Sequence, residues 1–306
     1  METNNSKNQY FKSPISCQEG GFLYSVIIIS VLFVSIVYSA IITLVFKGDI
    51  LSNANLILIL NYLSGPIAVS FAIGFLRFKL KKSLIKPLFN QKIKVKTIIS
   101  ALLICFGLLF GLSEVNTYFV LMLKSWGLRV STPTLPKFSA TNLVLIIVIV
   151  CILPAILEEI AFRGIILNGL NSTGNVFAVL ISGALFSLFH MSPAQTVYQF
   201  IVGVVYALIT LKGGNVIYTV FLHFINNLFV VLNYYFFNLT FSGEVKIIMI
   251  IIALVSLAVG VTLLLLDKQP SKTYEKKELL ENKKVFLFGS AIGLVGAILT
   301  WIVGLL

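Results

Sequence analysis

Long apolar runs separated by short polar connections dominate the chain from about residue 21 to its last residue. Residues 21–46, 54–78, 97–123, 142–168, 174–190, 194–211, 215–237, 246–266 and 285–306 are each apolar over lengths that approach or exceed the roughly 20 residues a helix needs to cross a hydrocarbon core. The runs are continuous, without the period-two alternation of membrane barrel strands. The pattern predicts an all-α fold, a polytopic transmembrane helical bundle of about eight to nine spans, with no soluble domain between them. Three stretches follow: 1–141 with N-terminal spans and a basic loop, 142–240 as a core, and 241–306 with C-terminal spans and a second basic loop.

Composition agrees with this. The 306 residues are 58% hydrophobic and 11% charged, far from the balance of a soluble domain. The first apolar run is too long for a cleavable signal and lacks a small-residue cleavage pattern, so it is expected to stay as an anchor. Cys17 has no upstream apolar run of a lipoprotein signal. Cys105 and Cys151 stand alone in apolar segments, which suits packing better than a disulfide or a metal.

The net charge of +12 follows topology and does not point to nucleic acid. Lys79, Lys81, Lys82, Lys86, Lys92, Lys94 and Lys96 fill the connection after the second span, and Lys268, Lys272, Lys276, Lys277, Lys283 and Lys284 that after the eighth. Nine spans and a cytoplasmic N-terminus put both inside, with anionic lipid headgroups as partners. Odd connections carry only scattered bases, Lys47, Lys124, Arg129, Lys137 and Lys246. Glu275, Glu278 and Glu281 fit a solvated amphipathic helix.

Between Lys137 and Glu244 the only formal charges are Glu158, Glu159, Arg163 and Lys212. Lys212 can snorkel from a span end. The other three cannot, and a charge at mid-membrane costs roughly 2.5 to 3.5 kcal/mol on insertion scales. Both histidines of the chain, His190 and His223, lie in the same region. Glu159 and Arg163 are four apart and share a helix face, whereas Glu158 points about 100° away. His223 and Asn227 share the same spacing. Pro154 removes a backbone donor four residues before Glu158 and is expected to kink the span. Counted from the span ends at the helical rise, Glu158 lies ~15 Å, His223 ~12 Å, Asn227 ~18 Å and His190 ~24 Å from the cytoplasmic side, so three helices can bring them to one layer. The "MSPA" after His190 suggests a turn at membrane depth, tolerated where protein covers the backbone.

These residues resemble a known family. "EEIAFRG" looks like an EExxxR motif, "FSLFH" an FxxxH motif with Phe186 and His190, and "HFINN" an HxxxN motif with His223 and Asn227, in the order found in the CAAX-protease and bacteriocin-processing family of intramembrane endopeptidases. The likeness covers about residues 142–240. Relatives include the eukaryotic endopeptidase that trims prenylated CaaX proteins, and bacterial members linked to peptide maturation or bacteriocin self-immunity. The resemblance implies a bacterial, multi-pass membrane protein with a helical core and a cavity open to the cytosol. It also implies that Glu158 and His190 activate water, that Glu159 and Arg163 support them, and that His223 and Asn227 stabilise the oxyanion. The expected substrate is a membrane-associated peptide or protein.

Other readings stand beside it. Two histidines and a glutamate could ligate Zn²⁺, although Asn227 beside His223 suits hydrogen-bond donation better. A non-proteolytic immunity or regulatory protein could bind a peptide in the same cavity. A transporter would show inverted repeats, and none is visible. Among bland readings, Asn226 and Asn227 can act as interhelical glue, Glu114 and Asn116 as packing, Tyr234–Phe237 as an interfacial belt, and Gly289, Gly293 and Gly296 as a close-packing seam.

Overall fold

The computed structural model describes residues 15–46, 54–81, 84, 86–89, 92–131, 133–266 and 276–306. Lys47, Lys82, Lys268, Lys272 and Glu275 lie outside them, as does the side chain of Lys276. The described residues contain helices and no strands. Among the described residues, eight helices are long and apolar enough to span a membrane: α1 (Cys17–Val45), α2 (Ala54–Leu80), α3 (Val95–Ser125), α4 (Ala140–Thr173), α6 (Pro193–Gly213), α7 (Ile217–Phe237), α8 (Gly243–Leu265) and α9 (Lys277–Val303). The chain is a multi-pass membrane protein. The run at 174–190 becomes a shorter helix, α5 (Asn175–Phe189). Its 15 residues extend about 22 Å at the helical rise, short of the roughly 30 Å of a hydrocarbon core. Among the described residues, eight long spans and one short helix match the eight to nine spans expected.

Alternation of the helices sorts their ends. Cys17 Sγ meets Ser172 Oγ at 3.0 Å, and Asn282 Nδ2 donates to the Ser172 carbonyl at 3.2 Å, which joins the starts of α1 and α9 to the end of α4. At the other end Tyr62 donates to the Thr134 carbonyl, Tyr235 to that of Pro136, and Lys246 Nζ pairs with Glu114 at 2.6 Å. Glu114 thus has a local ion-pair partner.

Small residues set the closest approaches. Along α1 and α9, Ser25 Oγ donates to the Gly289 carbonyl at 2.8 Å and accepts from the Gly293 N–H at 3.1 Å. A methyl on Gly293 would lie 2.7 Å from the Ser25 Cα, so backbone contact here requires glycine. The α5–α6 hairpin repeats the device: a methyl on Gly203 would sit 2.8 Å from the Gly183 Cα and 3.3 Å from the Phe186 Cβ. That contact draws the helix carrying Phe186 and His190 into the core. Cys105 and Cys151 are buried free thiols packed among aliphatic side chains.

Candidate active site

Helix α4 is irregular where its acids lie. Two π-helical stretches, Ile147–Ile152 and Ile160–Ile166, flank a single α-helical segment, Leu153–Glu159, that begins beside Pro154 and ends on Glu158 and Glu159. Proline withholds an N–H, and π turns re-aim the side chains that follow, a deformation common at functional sites.

The spacing-based pair forms. Arg163 Nη1 donates to Glu159 Oε1 at 2.9 Å, and neither side chain touches solvent. His223 Nδ1 lies 2.9 Å from the same oxygen. A carboxylate oxygen accepts, so Nδ1 carries the proton and Glu159 receives two charge-assisted bonds. This fixes the ring with Nε2 towards Glu158, whose Oε2 stands 4.0 Å away and has no hydrogen-bond partner. Glu158 is 8% exposed and His223 6%. The two acids differ in their partners: Glu159 holds Arg163 and His223 through Oε1, while each acid keeps a buried Oε2 without a hydrogen-bond partner.

Arg163 keeps its charge in an apolar interior by lying against aromatic faces. Its Cζ is 4.1 Å from the Phe186 ring centroid and 5.4 Å from that of Tyr206, while Nε and Nη2 have no hydrogen-bond partner. Phe186 also packs edge-on against both imidazoles, with centroids at 4.9 Å from His190 and 6.0 Å from His223. His190 donates from Nδ1 to the Phe186 carbonyl at 2.8 Å, since a carbonyl can only accept; a neutral ring therefore has its lone pair at Nε2.

Glu158, Glu159, Arg163 and His223 thus touch or nearly touch, His190 joins them through Phe186, and Asn227 stands one turn beyond His223. The Asn227 amide donates to the Val150 carbonyl at 2.8 Å, and its oxygen accepts from Asn226 at 3.1 Å. Sequence spacing did not single out Tyr206, because a tyrosine within a span has no periodic signal to separate it from packing residues.

Among the described residues no three His, Cys, Asp or Glu side chains gather as a metal ion would require. His223 and His190 each engage Nδ1, with Glu159 and with the Phe186 carbonyl, so Nε2 is the nitrogen that each could offer to water, substrate or a metal ion. Two surface hollows, at Gly74, Arg77, Phe78 and Lys81 and at Ile36, Ser39, Ala40, Thr43 and Leu44, lie on α2 and α1, and neither is lined by a residue of the cluster. Leu88, buried in the short turn Lys86–Phe89, packs on Gly164 beside Arg163. The Leu88 carbonyl accepts from the Val216 N–H at 3.2 Å, which ties that turn to the start of α7.

Comparison with known proteins bears on the same segment. No curated protein and no solved structure matched the chain. Residues 140–229, which include all six candidate residues, match the family model described as type II CAAX prenyl endopeptidase Rce1-like, so this part of the chain is similar to the CAAX-protease family that its three motifs resemble.

Proposed function

We propose that this chain is an intramembrane endopeptidase that hydrolyses a peptide bond in a membrane-associated peptide or protein. One observation carries the reading: a buried polar cluster, in the segment similar to an endopeptidase family, leaves Glu158 Oε2 without a partner 4.0 Å from His223 Nε2.

Peptide hydrolysis needs a base for water, a donor for the forming oxyanion, and a proton for the leaving amine. Glu158, assisted by His190 Nε2, accepts a proton as the water oxygen bonds to the carbonyl carbon. The carbonyl electron pair moves to oxygen. For this step His223 carries a proton at Nε2 as well as at Nδ1. In that state His223 Nε2 donates to the oxyanion, while Glu159 and Arg163 hold the ring. The Asn227 amide, which the motif resemblance offers as a second donor, is engaged with the Val150 carbonyl. Collapse of the tetrahedral species breaks the C–N bond, and the proton held by Glu158 passes to the departing amine.

The basic connections support a cytoplasmic N-terminus in a cell membrane, with anionic headgroups around the lysines, and the family subset the motifs resemble supports a bacterial host. The purified protein in detergent, incubated with a panel of short membrane peptides, tests the reading by mass spectrometry. Cleavage at a defined bond that vanishes in His190→Ala supports it; equal cleavage by His190→Ala overturns the assignment of His190. A parallel arm with chelator separates glutamate-driven from metal-driven hydrolysis.

A further inference from the structure

Pro154 interrupts the backbone ladder of α4 where the π-helical stretch Ile147–Ile152 gives way to the α-helical segment: the Leu153 N–H reaches back to the Val148 carbonyl, Pro154 has no N–H to continue the ladder, and the Val150 carbonyl lies at this junction. A buried carbonyl without a partner is costly, and more so in a membrane interior. The structure answers from another helix: Asn227 Nδ2 donates to that carbonyl at 2.8 Å.

The bond ends a longer chain. Asn227 Oδ1 accepts from Asn226 Nδ2 at 3.1 Å, and Asn226 Oδ1 accepts from the Tyr198 hydroxyl at 2.5 Å. The Tyr198 N–H donates to Asn116 Oδ1 at 3.3 Å, and Asn116 Nδ2 donates to the Ala194 carbonyl at 2.9 Å. The path runs from the irregular stretch of α4 through α7 and α6 to α3, and returns to the non-helical turn that follows His190. Both of its ends are backbone carbonyls at breaks in regular structure, one beside Pro154 and one after His190. Glu158 lies two helical turns beyond the first break and His190 four residues before the second.

Resting on the proposed hydrolytic reading, we infer that this polar chain sets the position of Glu158 relative to His190, and that Asn227 is a positioning residue acting through Val150. A displacement of about 1 Å between reacting groups can cost on the order of 10²-fold in rate. The amide pair can therefore affect chemistry without touching substrate, and Asn116, on the far side of the chain, acts in the same direction.

The decisive variant supplies the missing N–H from within α4. Asn227→Ala is expected to lower kcat by roughly 10²-fold with KM little changed, and Asn116→Ala by about fivefold. Pro154→Ala combined with Asn227→Ala returns an N–H to this junction of α4 and is expected to recover at least about tenfold of the loss, a rescue that an oxyanion donor could not show. Amide hydrogen exchange of the substrate-free protein gives a readout independent of activity: Asn227→Ala should speed exchange across residues 147–160, and the double variant should slow it again. Unchanged exchange in Asn227→Ala, or no recovery of kcat in the double variant, overturns the inference. Should wild type cleave nothing, the hydrolytic reading fails, while the exchange arm still decides whether Asn227 holds α4.

Discussion

Arg163 and Glu159 meet at 2.9 Å on one face of α4 with both side chains fully buried. Removing one partner of such a pair strands a charge where water cannot reach it, which typically costs about 3–5 kcal/mol, more than the pair itself contributes. Arg163→Met should therefore destabilise the protein strongly, and Arg163→Met with Glu159→Gln should destabilise it less. Thermal unfolding in detergent checks this; equal losses in the single and double variants would show that the charge is not isolated.

Glu159 also orients His223, through Nδ1 at 2.9 Å. Glu159→Gln preserves shape and one acceptor but weakens the charge-assisted bond that fixes the His223 ring. Turnover is expected to fall by roughly 10²- to 10⁴-fold, the range for a mispoised acid–base group. The comparison is kcat for Glu159→Gln against wild type at matched folded fraction.

Phe186 faces Arg163 and borders both histidines. Phe186→Leu keeps most of the volume but removes the ring face, worth about 0.5–2 kcal/mol to a cation. Activity should drop well before stability does. Phe186→Ala adds a cavity and should lose about 3–5 kcal/mol in unfolding measurements.

The α1–α9 seam offers a packing test away from the chemistry. A methyl on Gly293 meets the Ser25 Cα at 2.7 Å, whereas a methyl on Gly65 meets nothing within 4 Å. Gly293→Ala is expected to cost about 1–3 kcal/mol by overpacking. Gly65→Ala, its control in α2, should stay within about 0.5 kcal/mol of wild type in the same assay.

Much of this site was legible because helical spacing is a strict constraint. Four residues separate Glu159 from Arg163 and His223 from Asn227, so each pair had to share a face once a helix was granted. The cost of charge in lipid then required the acids to face inward. What spacing could not give was the identity of partners across helices. Tyr206 looks like an ordinary apolar position until Arg163 needs an aromatic face, Phe186 is marked by the motif resemblance and not by spacing, and Asn116 looked like packing until its partner at Ala194 was known. Hydropathy likewise could not distinguish α5 from a full span, because its 15 residues are as apolar as their neighbours and end only where the chain turns at His190. Leu88, which packs on Gly164 beside Arg163, likewise lies in a basic connection with no motif.

Glu158→Gln tests the central claim most directly. Replacing one carboxylate oxygen by an amide leaves the volume intact and removes the base next to His223. Single-turnover cleavage of a membrane peptide by purified protein should fall by at least about 10²-fold, with folding and peptide binding unchanged. Cleavage by Glu158→Gln at the wild-type rate would contradict the account.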